Sequence, residues 1–218
     1  MPSITAEVMK TLAHIGEALD FGLFSELSGN TEGSPSTRHL VMAQDPVTTE
    51  DESPRDMFFN VSNTPVPLSI GWYLSGYADG EGCFCVSFSP RRTLKIGVEV
   101  RPSFSVSQNG YRSEVLTIFK NLLGCGTIRP DRSDKTYKFE VRSLDDLLTR
   151  VIPFFLKFPL QSSKRSEFLT FSCICELMSK KSHTTSDGLK EIVELAVLMN
   201  GSDFRRYHMG RVLQFMKR

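Results

Sequence analysis

The 218-residue chain is poor in the features that mark several function classes. Its five cysteines, Cys83, Cys85, Cys125, Cys173 and Cys175, include no Cys-x₂-Cys pair, and its four histidines, His14, His39, His183 and His208, are scattered. Both facts argue against a zinc cluster. An odd cysteine count with no export signal fits reduced thiols inside a cell, in an organelle or a bacterial cytoplasm alike. No secretory or transmembrane span is visible, so no membrane partner is expected. The early acids Glu7, Glu17 and Asp20 also depart from the acid-poor, arginine-rich pattern of an organellar transit peptide. Charge bias is missing as well, since 26 Lys/Arg against 25 Asp/Glu leave a net charge of +1.

That near-zero total hides a division. Residues 1–65 hold 3 Lys/Arg and 10 Asp/Glu, a balance of −7, and the remainder holds 23 and 15, a balance of +8. The acidic part has Gly-, Ser- and Pro-rich runs over 29–37 and 50–54 and little periodicity beyond a candidate helix from Ile4 to Leu27. It reads as a largely disordered extension, with a regulatory or partner-binding arm as the functional alternative. The basic excess in residues 66–218 suits a polyanionic partner, because neutralising phosphates releases counterions.

Within that part, Leu74-Ser75-Gly76-Tyr77-Ala78-Asp79-Gly80-Glu81-Gly82 closes a short apolar run. Ile70, Tyr73, Leu74 and Tyr77 recur at helical spacing, and Gly71, Ser75 and Ala78 form a second stripe of small side chains that lets another backbone approach closely. The glycines predict a stop near Asp79 in a left-handed turn, with Glu81 projecting from the tip. The pattern then changes to period two, with Phe84, Val86 and Phe88 on one phase, and again with Ile96, Val98, Val100, Pro102, Phe104 and Val106. Pro102 asks for an edge or a bulge. A helical period from Gly110 to Leu123 stops at Gly124. Short strands follow at Thr127–Arg129 and Tyr137–Val141, then helices over about 144–155 and 161–180. The tail, with Ile192, Leu195, Ala196 and Met199 and then Tyr207, Val212 and Phe215, reads as one or two amphipathic helices closing the core. The expected class is α+β, an αββαββα unit with helices on one face of a four-stranded antiparallel, saddle-shaped sheet. On the opposite, non-core phase fall Arg101, Arg129 and Lys138 with Ser87, Ser89, Ser103 and Ser105, and Arg91 and Arg92 sit in the first hairpin turn. Arginines and hydroxyls of this kind suit base edges in the major groove.

The nine-residue stretch resembles the signature of the LAGLIDADG homing endonucleases, with Ser75, Tyr77, Ala78, Gly80 and Glu81 as variants of the family letters. The resemblance covers about residues 68–180. It implies hydrolysis of phosphodiesters in double-stranded DNA with a divalent ion, Mg²⁺ or Mn²⁺. Glu81 is the implied metal ligand and catalytic residue, with the Gly80 carbonyl beside it and Asp79, the first acid of the signature, in a bracing or metal-binding role. Gln108 and Arg112 match outer-shell catalytic positions. Lys164 matches a lysine that reaches the active site, with Lys157 and Arg165 open if the match shifts. One signature alone implies a homodimer whose helices cross through Gly71, Ser75 and Ala78, acting on a pseudo-palindromic site. Two alternatives share the fold: an intron RNA-splicing maturase and a DNA-binding regulator that does not cut.

Overall fold

The computed structural model describes residues 57–59, 65–131, 135–199 and 212. The candidate helix at Ile4–Leu27, the acidic runs and the tail beyond Met199, apart from Val212, lie outside the described residues. Strands β1 (Met57–Phe59) and β2 (Pro65–Pro67) pair antiparallel, with Phe58 opposite Val66. Regular pairing therefore begins before residue 66, the boundary drawn from composition. Two prolines in three residues concealed β2, since neither can donate to a ladder and Pro normally signals a strand edge or a turn.

Helix α1 (Leu68–Glu81) follows at once and runs two residues past the expected stop. Gly82 ends it in an extended conformation, φ −77° and ψ 154°, with its N–H donating to the Ala78 carbonyl. A left-handed turn is not used because the chain continues directly into β3. Glycine is still required, since a Cβ at residue 82 would stand 2.5 Å from the Ala78 oxygen.

Strands β3 (Gly82–Pro90) and β4 (Val98–Asn109) pair from Gly82 opposite Val106 to Pro90 opposite Val98. A single 3₁₀ turn, Gly110–Arg112, leads into α2 (Glu114–Leu123). Gly124 stops α2, as expected, and does so as a left-handed cap with φ 61°. Strands β5 (Thr127–Pro130) and β6 (Thr136–Val141) complete one antiparallel sheet in the order β3-β4-β6-β5. Strand β6 meets β4 only from Phe104 to Asn109, so Pro102 lies where β4 has a single neighbour, as a residue without an N–H requires.

The helical stretch α3 covers 144–157, with α-helical ends at Leu144–Asp146 and Ile152–Lys157 and a π turn, Leu147–Val151, between them. Pro153 accounts for the π turn, because its ring removes one i to i−4 bond and crowds the preceding turn. Helix α4 (Lys164–Ser179) packs on β3, and α5 (Ser186–Leu198) packs on α4. Among the described residues the element order is the expected αββαββα unit, preceded by the β1–β2 pair and followed by two C-terminal helices, α4 and α5. No helix of the described residues is long and apolar enough to cross a membrane.

Phenylalanine fills the space between helices and sheet. Phe84, Phe104, Phe119, Phe139, Phe155, Phe158, Phe168 and Phe171 are all fully buried. Phe84 and Phe104 stack at 5.0 Å, Phe119 and Phe139 at 5.9 Å, and Phe155 sits edge-on to Phe104 at 5.2 Å. Offset and edge contacts of this kind add to plain area burial. Because alternate strand residues point oppositely, committing these rings to the helices leaves the other sheet face to Ser, Arg, Lys and Glu.

Candidate functional site

The C-terminal end of α1 sits where the sheet begins. Asp79 and Glu81, two residues apart, meet different fates there. Asp79 accepts hydrogen bonds from the Gln161 N–H at 3.0 Å, the Ser162 N–H at 2.8 Å and the Ser162 hydroxyl at 2.5 Å. Partial burial pushes its carboxyl upward, but those bonds, with the Lys164 charge behind them, outweigh it and hold Asp79 below the ordinary carboxylate range. These bonds tie Asp79 to the turn that starts α4, the contact that a bracing role calls for. Glu81 is exposed at the last position of α1.

Lys164 opens α4 and turns back on the tip. Its Nζ donates to the Gly82 carbonyl at 2.6 Å and reaches those of Ala78 and Gly80 at 3.3 Å each. A cation at these carbonyls complements the negative end of the helix dipole. Lys157 instead lies over the Phe158 ring at 5.8 Å. Gln108, near the end of β4, donates through Nε2 to the Tyr77 hydroxyl and accepts the Asn109 N–H at 2.7 Å. Arg112 is exposed in the 3₁₀ turn, its guanidinium 5.3 Å from the centre of the Tyr111 ring.

The open face of the sheet holds most of the expected contact residues on one side. The register lines up Ser87 with Arg101, Cys85 with Ser103, and Ser107 with Lys138 and Arg129. Ser105 is a correction: at 4% exposure it is covered, lying between Cys83 and Glu140 in the middle of the sheet. The arginines are also less free than their spacing implied. Arg91 and Arg101 both bind Glu99, and Arg129 binds Glu140. Burial raises the Cys83 thiol above its ordinary value, which keeps it protonated on this face.

The dimer stripe needs a second correction. Gly71, Ser75 and Ala78 are buried in the chain itself. A Cβ on Gly71 would fall 2.3 Å from the Phe158 ring, and the Ser75 hydroxyl donates to the Phe158 carbonyl at 2.7 Å. The segment between α3 and α4 occupies the place given to a twin helix. The exposed face of α1 instead carries Ser69, Trp72, Tyr73, Gly76 and Gly80, with Trp72 46% and Tyr73 51% exposed. A Cβ on Gly76 or Gly80 would meet nothing within 4 Å.

This arrangement can be set beside known proteins. The sequence profile of the family described as LAGLIDADG endonuclease matches residues 74–175. The homing endonuclease I-TnaI superposes with a TM-score of 0.61 at 35% identity, covering 66% of this chain and 95% of that one. The chain belongs to the LAGLIDADG family. The archaeal intron-encoded homing endonuclease I-Vdi141I, solved in complex with DNA, gives a TM-score of 0.61 at 30% identity over 68% of this chain and 94% of that one. The probable intron-encoded endonuclease 2 of Neurospora crassa is 28% identical over 136 residues, 62% of this chain and 28% of the relative. The chain thus spans about a quarter of the length of the first curated relatives it matches.

Against the LAGLIDADG signature, Tyr77 stands at a position whose family letter is leucine, and its hydroxyl is what reaches Gln108. Sequence reasoning missed that contact, as it missed Glu140 on β6 and Arg142 just beyond the end of that strand. Glu140 alternates out of phase with Phe139 and Val141, a signal that was present in the strand pattern.

Proposed function

We propose that the chain is a site-specific DNA endonuclease that works as a homodimer on a long pseudo-palindromic duplex and depends on a divalent ion. The observation that carries the reading is Glu81, exposed at the tip of α1 beside a lysine that brackets the same turn. The donors available there are hard oxygens, the Glu81 carboxylate and the Gly80 carbonyl, which suit Mg²⁺ or Mn²⁺. Among the described residues no three His, Cys, Asp or Glu cluster as a metal cage. That fits an ion whose remaining positions go to water and scissile phosphate oxygens. When bound, such an ion supplies Lewis-acid polarisation of the phosphate and a lowered pKa for attacking water.

The chain's own residues do the rest of the work. Asp79 ties the tip to α4 and fixes the direction of Glu81. Lys164 offers a point charge to the phosphate as negative charge builds on it. Gln108, oriented by Tyr77, and Arg112 belong to the outer shell, where a water is held near the reacting phosphate. The open sheet face takes the major groove through Arg101, Lys138 and the serines. Gly76 and Gly80, flanked by Trp72 and Tyr73, let the α1 helices of two chains meet, which gives paired sites for two strands. The relatives' names add an intron-encoded origin to this reading.

The test is linearisation of a supercoiled plasmid bearing the intronless insertion site, found by selecting cleaved sites from a random duplex library. Cutting is expected with Mg²⁺ and not in chelator, and Glu81→Gln should bind the site without cutting it. Cleavage by Glu81→Gln, or cleavage in chelator, defeats the proposal. Tight binding of folded intron RNA with no DNA product would transfer the chain to the maturase reading.

A further inference from the structure

A surface for duplex DNA ought to be basic, yet the open face of this sheet presents two acids, each gripped by two arginines. Glu99 on β4 accepts from Arg91 Nη1 at 2.7 Å and from Arg101 Nη2 at 2.6 Å, one bond to each oxygen. Glu140 on β6 accepts from Arg129 Nη2 at 3.0 Å and Arg142 Nε at 3.0 Å on one oxygen, and from Arg142 Nη2 at 3.2 Å on the other. Glu140 is 7% exposed, whereas the Arg129 and Arg142 side chains are 49% and 64% exposed. The carboxylates are consumed inside the chain. Each guanidinium has five N–H donors and gives up only one or two of them here.

Neither stability nor affinity accounts for these bridges. The Glu99 pairs are with arginines that are more than half exposed and contribute little to folding, and at the covered Glu140 the desolvation penalty offsets what its arginines return. Acids facing a polyanion weaken its attraction, which is set by the phosphates neutralised. What remains is orientation. A bidentate contact from arginine to the O6 and N7 of guanine demands a planar fork at one angle, and a fork already held loses less freedom on binding.

We infer that Glu99 and Glu140 are specificity-determining positioning residues, each holding two arginines as fixed forks for base edges while its charge suppresses binding to phosphates of any sequence. The inference rests on the DNA endonuclease reading above. The two bridges lie far apart. Glu99 pairs with Ser89, and Glu140 lines up through Ser105 with Cys83, six residues back along β3 and beside the α1 tip. At a strand rise of roughly 3.3 Å per residue that is about 20 Å. The bridges therefore read separate positions of a half-site, those of Glu99 farther from its centre.

The experiment selects bound duplexes from a random library with the full chain and with Glu99→Gln, Glu140→Gln and Arg142→Gln, and titrates each against unrelated duplex over a range of salt. In each glutamate variant, preference at one or two positions should fall about ten-fold with the others kept. Binding to unrelated duplex should stay equal or tighten, with a steeper salt slope. Arg142→Gln should erase a position also lost in Glu140→Gln while weakening unrelated binding, and it guards against misfolding because Arg142 is largely exposed. Glutamate variants with wild-type preferences overturn the inference and leave the endonuclease reading intact. Uniform loss at every position with a lowered thermal midpoint also overturns it, assigning the acids to the fold. A wild-type chain that selects no duplex overturns both.

Discussion

Helix α1 presents small residues on two faces, and the faces serve different partners. Inward, Gly71 and Ser75 are closed by Phe158, a residue more than 80 positions away along the chain, and Ala78 is buried on the same side. Outward, Gly76 and Gly80 have nothing over them and are flanked by exposed Trp72 and Tyr73. Small-residue spacing reports that some backbone comes close, but not which one. The same division separates the acids, with Asp79 tied inward to Ser162 and Glu81 left outward. One face of the helix builds the domain and the other is left to act.

Substitutions on the two faces should therefore dissociate folding from activity. The largest effect is expected from Glu81→Gln, which should lower plasmid cleavage by about 1,000-fold or more while the denaturant midpoint stays put. A fall in stability instead would show that Glu81 belongs with the inward set. Gly71→Leu should do the reverse, costing about 3 kcal/mol in urea unfolding as the added carbons press on the Phe158 ring. If it folds like wild type and only loses dimerisation, the original assignment of that stripe is restored.

Asp79→Ala should cost about 1 kcal/mol at neutral pH through loss of the bonds to the turn before α4. Since the folded carboxyl lies below its ordinary value of 3.8, its contribution is complete above that pH and is lost as pH falls through the folded value. Wild type and variant should thus converge in acid, and a gap that persists at low pH would contradict the hydrogen-bonded carboxylate. Gly76→Ala has the smallest expected effect on folding, a gain of about 0.5–1 kcal/mol from better helix propensity. Sedimentation should nevertheless show a larger monomer share, and an unchanged dimer would move the contact off this face.

The element order was legible because each segment carries its own period or stop signal. The alternation of β3 and β4, the stop at Gly124 and the single-neighbour position of Pro102 are all local consequences of side-chain shape. The resemblance pointed to the tip of α1 as a meeting place, and Asp79 and Lys164 do come together there. What could not be read were facts fixed across the chain. Phe158 fills the Gly71 stripe, Ser162 claims Asp79, and the covering of Ser105 depends on neighbours from two other strands. The two-proline strand β2 is a case where local propensity argued for a break and pairing with β1 went past it.

Strand β6 ends opposite Phe104, so the outer half of the β3–β4 hairpin continues as a two-stranded ribbon, closed by the Arg91 N–H donating to the Gly97 carbonyl at 2.8 Å. Ribbons twist more readily than wide sheets. The arm can follow the pitch of a groove without moving the phenylalanine layer or the α1 tip behind it. On the endonuclease reading, changes of recognition sequence can then accumulate at the far end of the arm, around Arg91 and Arg101, while the proposed cleavage site at the α1 tip is left unaltered.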